Sequence, residues 1–175
     1  DMALAVGTKL GDFTTGSWSN LHNPDFQLVS INTARFDVTK HRATPVISDA
    51  KIGLKQLSNV LGDWKAPDNW YQRSIKERNE WDAYVEKQSG PTNQEVPSYA
   101  QAVGAVYRNA DPSDIVVTAA GGLVGEVVQI WKPKQINTFE TEWGFSCMGY
   151  EISGALGMKI AKPDNDIVVF IGDGS

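Results

Sequence analysis

The sequence predicts an α/β fold in which helices flank parallel sheets, and three observations support this prediction. Short apolar runs rich in β-branched residues recur along the chain, as in MALAV, QLVSI, DIVVT and DIVVF. Segments with helical spacing of apolar residues stand between several of these runs. Polar or glycine-rich loops follow the runs, and the carboxyl ends of parallel strands are where such sheets bind ligands.

The bulk composition limits the classes of function. The chain has 175 residues, is 41% hydrophobic and carries a net charge of −5, so it can build a buried core and offers no basic surface for nucleic acid. No apolar run approaches the roughly 18 residues of a membrane span. With one cysteine, Cys147, and two histidines, His22 and His41, the sequence excludes an internal disulfide and a structural zinc cluster. We therefore expect a cytoplasmic protein without nucleic-acid or membrane partners, and surface positions for both histidines.

The first third of the chain contains three predicted strands and one predicted helix. MALAVGTKL and DFQLVSINTA are buried strands, and Val46 and Ile47 form a third short strand after Pro45. Asp49 caps a helix that ends at Gly62. Its apolar residues recur at roughly helical spacing: Ile52, Leu54, Leu57 and Leu61.

Residues 63–93 are charged and rich in tryptophan, which predicts a helix inside an interdomain connection. Trp64, Trp70 and Trp81 are compatible with a stacking platform for bases or sugars. Because acidic and basic residues alternate with them, we favour the interpretation that they anchor a surface helix to its neighbour.

A second α/β unit follows this connection. A helix begins after the capping residue Ser98, and DIVVTAAGG is a buried strand that ends in two glycines. The remaining chain is predicted to alternate between helix and strand, in the order GEVVQIWKP, QINTFE, CMGYEISGALGMKIAK and DIVVFIGDGS.

Three glycine-rich loops lie in this second unit: TAAGGLVGE, EWGFSCMGYE and FIGDGS. Glycines after a strand let backbone N–H groups approach an anion, and a following helix adds its positive end. A glycine pair alone is more often a sign of tight packing. The last loop is more specific, because Asp173 between two glycines could hold Mg²⁺ or Ca²⁺ beside a phosphate. No G-x-G-x-x-G dinucleotide fingerprint follows a strand.

These loops carry a resemblance to a known family. GDGS after an apolar strand is similar to the opening of the thiamine-diphosphate motif, and SCMGYEISGALGMKIA resembles the segment that supports the cofactor's pyrimidine in the acetohydroxyacid synthase and pyruvate oxidase superfamily. The resemblance implies that the sequence is an excerpt of a longer enzyme. Its parts would be the C-terminal part of a Rossmann-like middle domain (1–62), a helical Trp-rich linker (63–93), and the N-terminal part of the pyrophosphate-binding domain, cut at GDGS (94–175).

The resemblance also implies site residues. Asp173 would be a Mg²⁺ ligand, and Ser146 would offer its carbonyl to the pyrimidine amino group. Met148 would be the apolar wedge that bends the cofactor. The remaining residues implied to contact thiamine diphosphate are Gly121, Gly122, Leu123, Cys147, Gly172, Gly174 and Ser175.

Two of these residues, Met148 and Cys147, have simpler interpretations, and so does a further candidate, Glu142. Met148 taken alone is typical of a core methionine, and only its place in the matched loop suggests the wedge. Cys147 is expected to be a small packed residue rather than a nucleophile. Glu142 could face the substrate, although a carboxylate at a strand end is more often solvated or paired with a cation.

Within the superfamily, the likeness is greatest to the ring-opening hydrolases of myo-inositol catabolism, which cleave a carbon–carbon bond of a cyclic polyol dione with water. An acetohydroxyacid synthase-like carboligase and a non-catalytic nucleotide-binding module remain alternatives. The family's activating glutamate belongs to an N-terminal domain outside this sequence. The resemblance therefore implies an inactive fragment of a homodimeric or homotetrameric enzyme.

Overall fold

The computed structural model describes residues 2–175 and divides at residues 66 and 67 into two compact units. Both units contain a three-stranded, all-parallel sheet with helices against it, so the predicted α/β class is confirmed. No helix within residues 2–175 combines the length and the apolar character needed to cross a membrane.

The sheet of the first unit has the strand order β1-β2-β3. It consists of β1 (Met2–Val6), β2 (Gln27–Asn32) and β3 (Thr44–Ile47), which are the three predicted strands. The predicted burial of β1 was wrong, since Ala5 is its one buried residue. Central strand β2 is buried at Leu28, Ser30 and Ile31. Two helices of one turn each, α1 (Asp12–Thr15) and α2 (Arg35–Val38), and a 3₁₀ turn (Lys40–Arg42) connect the strands. The sequence did not predict these connections, because one helical turn is too short to show periodicity.

Helix α3 (Ala50–Leu61) begins and ends where predicted. Asp49 Oδ1 accepts hydrogen bonds from the N–H groups of Lys51 (2.9 Å) and Ile52 (3.1 Å), which caps the helix. The helix approaches the sheet through Gly53, where a Cβ would lie 2.8 Å from Ile31 Cγ2. Glycine at this position therefore sets the packing distance between the helix and its sheet.

Two helices open the second unit, α4 (Asp68–Ser89) and α5 (Tyr99–Asn109). The predicted cap of α5 is a complete capping box, in which Ser98 Oγ accepts from the Gln101 N–H and Gln101 Oε1 accepts from the Ser98 N–H. The two helices meet closely at Gly104, where a Cβ would overlap the carbonyl oxygen of Ser89. Arg108 donates a hydrogen bond of 2.7 Å to that same carbonyl.

The sheet of the second unit has the strand order β5-β4-β6. Its strands are β4 (Ile115–Thr118), β5 (Phe139–Thr141) and β6 (Ile167–Val169), with α6 (Gly122–Ile130) and α7 (Tyr150–Ala161) between them. Every residue of β4 is buried. The core beside it contains Val85, Ala100, Val103, Val116, Val127, Ile130 and Trp131.

Several predicted boundaries in this unit were wrong by three or four residues. Helix α6 begins before the predicted GEVVQIWKP, because Gly121, at φ +84°, turns the chain directly into the helix. Helix α7 begins at Tyr150 rather than Cys147, after Gly149 at φ +87°. Strand β5 begins only at Phe139, after Asn137 at φ +62°. A left-handed residue interrupts regular structure, and apolar patterning does not reveal it.

The prediction that three tryptophans anchor the Trp-rich helix was wrong. Trp64, Trp70 and Trp81 are 64%, 64% and 49% exposed, and Trp81 stacks on Tyr84 of the same helix. Helix α4 is held instead by its small buried residues, Val85 and Ser89, and by an ion pair of 2.7 Å between Asp82 and Lys132.

Candidate functional site

The loops that follow β4 and β6 and the loop before α7 border one cavity of the second unit, with a volume of about 470 Å³. Because β4 is the central strand, its loop lies between the loops that follow its two neighbours. The volume is in the range of small-molecule sites. The lining residues are Tyr99, Ala120, Gly121, Gly122, Leu123, Met148, Ile171, Gly172, Asp173, Gly174 and Ser175.

The loop after β4 presents bare backbone at the start of α6. Gly121 is the N-cap and Gly122 is the first helical residue, and a Cβ on either would meet no atom within 4 Å. The first N–H groups of a helix have no acceptor within the helix and carry its positive end. This wall of the cavity can therefore accommodate an anionic group such as a diphosphate.

The loop after β6 supplies the carboxylate of the cavity. Asp173 is exposed between Gly172 and Gly174, in a turn closed by a hydrogen bond of 3.2 Å from the Ser175 N–H to the Gly172 carbonyl. Within residues 2–175 no group of three or more histidine, cysteine, aspartate or glutamate side chains could enclose a metal. One hard oxygen ligand beside backbone that can receive an anion is a donor set that fits Mg²⁺ bound jointly with a diphosphate.

The third loop, between β5 and α7, is organised by Glu142. Its Oε1 accepts from the Phe145 N–H (2.9 Å) and its Oε2 from the Cys147 N–H (2.8 Å). These bonds hold the pKa of the Glu142 carboxyl below its ordinary value, and the bond from Cys147 has the largest effect. Glu142 does not line the cavity, so its observed contacts are those of a residue that shapes the loop.

Three residues of this loop, Ser146, Cys147 and Met148, were predicted to contact the cofactor, and the structure places them in different environments. Ser146 adopts φ +53°, a left-handed conformation that glycine adopts without strain. Cys147 is exposed, so the prediction of a packed cysteine was wrong, and the Glu142 carboxylate raises the pKa of its thiol. Only Met148 lines the cavity, with its Cε 3.5 Å from the point where a Gly174 Cβ would lie.

Sequence reasoning missed Glu151, which ties two of the loops together. It is fully buried, its Oε1 accepts from the Ala120 N–H (3.1 Å), and its Oε2 accepts from the Gly149 N–H (3.1 Å). A glutamate in the first turn of a helix normally indicates an exposed, dipole-stabilising residue. The available signal was the pair of glycine N-caps, which leave nearby N–H groups in need of an acceptor.

Comparison with known proteins gives one family match and several relatives that match the whole of this chain. Residues 119–175 match the family "Thiamine pyrophosphate enzyme, C-terminal TPP binding domain". Proteins named 3D-(3,5/4)-trihydroxycyclohexane-1,2-dione hydrolase match all of the chain. Those of Clostridium tetani, Geobacillus thermodenitrificans and Lacticaseibacillus casei are 33%, 32% and 33% identical to it.

The chain spans only 30–31% of the length of these relatives. The family match begins at Ala119, directly after β4, so it contains all three loops of the cavity; of the lining residues only Tyr99 lies outside it. These matches confirm the resemblance that the three loops carry.

Proposed function

We propose that the whole protein is a thiamine-diphosphate- and Mg²⁺-dependent hydrolase of carbon–carbon bonds in ketonic substrates, because residues 119–175 match the thiamine pyrophosphate enzyme family. Its substrate would be 3D-(3,5/4)-trihydroxycyclohexane-1,2-dione, opened to 5-deoxy-glucuronate in myo-inositol catabolism. The convergence of three glycine-rich loops on one cavity carries the cofactor part of this proposal. The names of the relatives support the substrate.

The loops after β4 and β6 would hold the diphosphate end of the cofactor. The backbone at Gly121, Gly122 and Leu123 would receive phosphate oxygens at the positive end of α6. Asp173 would bind Mg²⁺, with the Gly172, Gly174 and Ser175 turn against the phosphates. When bound, thiamine diphosphate supplies the nucleophilic carbon and the electron sink for carbon–carbon cleavage.

The loop between β5 and α7 would hold the pyrimidine end. Met148 projects 64% exposed into the cavity, as a side chain that an apolar ligand surface would cover. Ser146 would present its carbonyl, and the left-handed backbone at this residue is kept by the hydrogen bonds of the flanking residues to Glu142. Cys147 would contribute backbone rather than its thiol.

The proposal extends to parts of the protein beyond this chain. The activating glutamate would come from another domain, so the 175-residue chain alone would be inactive. The whole enzyme would be a homodimer or homotetramer of cytoplasmic location. In the proposed domain division, residues 1–62 end a middle domain, 63–93 connect the domains and 94–175 begin the cofactor domain.

Titration of the full-length protein with thiamine diphosphate, with and without Mg²⁺, tests the cofactor assignment. We expect Mg²⁺-dependent binding that Asp173→Ala weakens by about 100-fold, because one metal ligand is lost. Asp164→Ala is the matched control, since Asp164 is an exposed aspartate that precedes β6, whereas Asp173 follows it. Binding without Mg²⁺, or unchanged binding by Asp173→Ala, would contradict the assignment.

A substrate assay on the same protein separates the remaining alternatives. Turnover of the trihydroxycyclohexanedione but not of pyruvate supports the hydrolase, whereas turnover of pyruvate identifies an acetohydroxyacid synthase-like carboligase that uses the same cofactor residues. Binding of nucleotides in place of thiamine diphosphate would instead identify a nucleotide-binding module.

A further inference from the structure

Glu151 connects two walls of the cavity from behind. It is the second residue of α7, and its two carboxylate oxygens accept the N–H groups of Ala120 and Gly149 at 3.1 Å each. Ala120 precedes the N-cap of α6, and Gly149 is the N-cap of α7. One side chain therefore links the beginnings of two helices. The bonded residues Ala120 and Glu151 are 31 positions apart in the sequence.

Both of these helices begin without a capping side chain. Their N-caps, Gly121 at φ +84° and Gly149 at φ +87°, are glycines with open space where a Cβ would lie. A serine or aspartate is the common cap, but its side chain would occupy the N–H groups at the helix end. Glu151 supplies an acceptor to each loop and leaves the cavity side of both glycines free.

The burial of Glu151 is costly by itself. It is 0% exposed, and within residues 2–175 no lysine, arginine or histidine pairs with it. Transfer of a carboxylate out of water is unfavourable unless hydrogen bonds compensate it, and here two backbone N–H groups do so. An exposed cap would stabilise either helix at less cost, which indicates that the link between the two loops is what Glu151 provides.

We propose that Glu151 is a positioning residue that fixes the separation of the phosphate-binding loop at 119–122 from the loop at 146–149, so that both contact one thiamine diphosphate. The inference rests on the proposed function and adds to it a residue that does not line the cavity. Glu151 acts through the backbone of Ala120 and Gly149. Its loss lowers cofactor affinity without removing a cofactor contact.

Three variants of the full-length protein weaken the contacts of Glu151 with the two loops to different degrees. Glu151→Gln keeps the shape but turns an amide donor toward one of the two N–H groups, so it breaks one hydrogen bond. Glu151→Ala breaks both, and Glu151→Asp keeps the charge but shortens the reach. The matched control is Glu140→Gln, because Glu140 also contacts α7, through the Tyr150 hydroxyl at 3.0 Å, and bonds neither loop amide. Val103→Ala controls for general destabilisation, since Val103 is fully buried in the same unit.

The readouts are the Kd for thiamine diphosphate at saturating Mg²⁺, the Tm, and amide hydrogen exchange at Ala120 and Gly149 without cofactor. We expect the Kd to rise about tenfold in Glu151→Gln and about 100-fold in Glu151→Ala, the range found when supporting residues of a site are removed. Exchange at both amides should accelerate in Glu151→Ala. Val103→Ala should lower the Tm with an unchanged Kd, and Glu140→Gln should leave the Kd unchanged.

Two results would overturn the inference. A wild-type Kd in Glu151→Gln would refute it, and so would a Kd that rises in Val103→Ala in proportion to the loss of Tm. Failure of the proposed function gives a different result, because the wild-type protein itself would then not bind thiamine diphosphate.

Discussion

Two glutamates that do not line the cavity determine how its loops are folded. Glu142 accepts the N–H groups of Phe145 and Cys147, and Glu151 accepts those of Ala120 and Gly149. Hydrogen bonds from backbone N–H to a carboxylate are among the stronger ones in proteins. These two side chains thus shape the site from behind, while four glycines and side chains such as Met148 and Asp173 line the cavity.

Glu142 makes the stability of the loop depend on pH. Its pKa in the folded protein lies below its ordinary value of 4.5, so it binds fewer protons in the folded than in the unfolded state. The stabilisation is therefore fully present above the ordinary pKa and is lost as the pH falls through the lowered pKa. We expect Glu142→Gln to lower the Tm at neutral pH, with a difference from wild type that shrinks in acid.

Melting curves from neutral pH down to about pH 3 check this, with Glu95→Gln as the control at an exposed glutamate in the loop before α5. A constant difference in Tm between wild type and Glu142→Gln across that range would argue against the assignment.

We expect the same carboxylate to slow the alkylation of Cys147. The thiol is exposed, but the hydrogen bond and negative charge of Glu142 raise its pKa, and the thiolate is the reactive form. We expect slow reaction with iodoacetamide at neutral pH and a lower pH midpoint of the reaction in Glu142→Gln. Since Cys147 is the only cysteine, the rate reports on this residue alone. Equal midpoints in the two proteins would contradict the prediction.

At the residue scale the sequence revealed what has a local signature. Asp173 between glycines and the glycine pair Gly121 and Gly122 were recognisable from neighbouring residues, and the structure brings them to one cavity. Glu151 was not, because its role depends on Ala120, 31 positions away. The exposure of Cys147 follows from a loop fold that Glu142 directs, which composition does not encode.

At the scale of elements, the contact between α4 and α5 depends on a glycine. A Cβ at Gly104 would overlap the Ser89 carbonyl, whereas one at Gly157 in α7 would meet nothing within 4 Å. We expect Gly104→Ala to destabilise the protein by about 1–3 kcal/mol through overpacking. Gly157→Ala should stabilise it by about 0.5–1 kcal/mol through helix propensity.

Urea unfolding of both variants measures these free energies. If Gly104→Ala does not lower the free energy of unfolding, the prediction is wrong, and α4 and α5 can move apart to accommodate the added methyl group.

The types of the longer elements were predictable, but their ends were less so. Ser98 and Asp49 marked the starts of α5 and α3 correctly, because a polar cap is visible in sequence. The starts of α6 and α7 were missed, since their caps are glycines whose nearby N–H groups are satisfied by a residue elsewhere.

At the scale of the whole molecule, helix α7 presents apolar side chains to solvent. Ile152, Leu156 and Ile160 recur every four residues on α7 and are 62%, 62% and 73% exposed. We expect the 175-residue chain on its own to bind anilinonaphthalene sulfonate and to self-associate through this stripe. Leu156→Lys should reduce both.

Dye fluorescence and sedimentation measure the two effects, with Val60→Lys as the control at an 84% exposed residue of α3. Equal effects of the two lysine substitutions would show that the stripe has no special role.

The overall class was predictable because strands and helices alternate in the sequence, and alternation of this kind specifies parallel sheets. The strand order β5-β4-β6 was not, since it depends on pairs such as Ile115 with Ile167. The exposure of Trp70 and Trp81 was also beyond the sequence, because the charged helix α4 that contains them has no single apolar face to predict.

The central position of β4 has a consequence for the order of assembly. The loop after β4 is translated first, and the loops on either side of it follow β5 and β6, which are translated later. Strand β6 pairs with β4 across about 50 residues of sequence. On the ribosome, the growing chain therefore has no complete cavity until residue 175 has emerged. Under the proposed function, a nascent chain stalled before β6 lacks the loop that contains Asp173, so we expect it not to bind thiamine diphosphate.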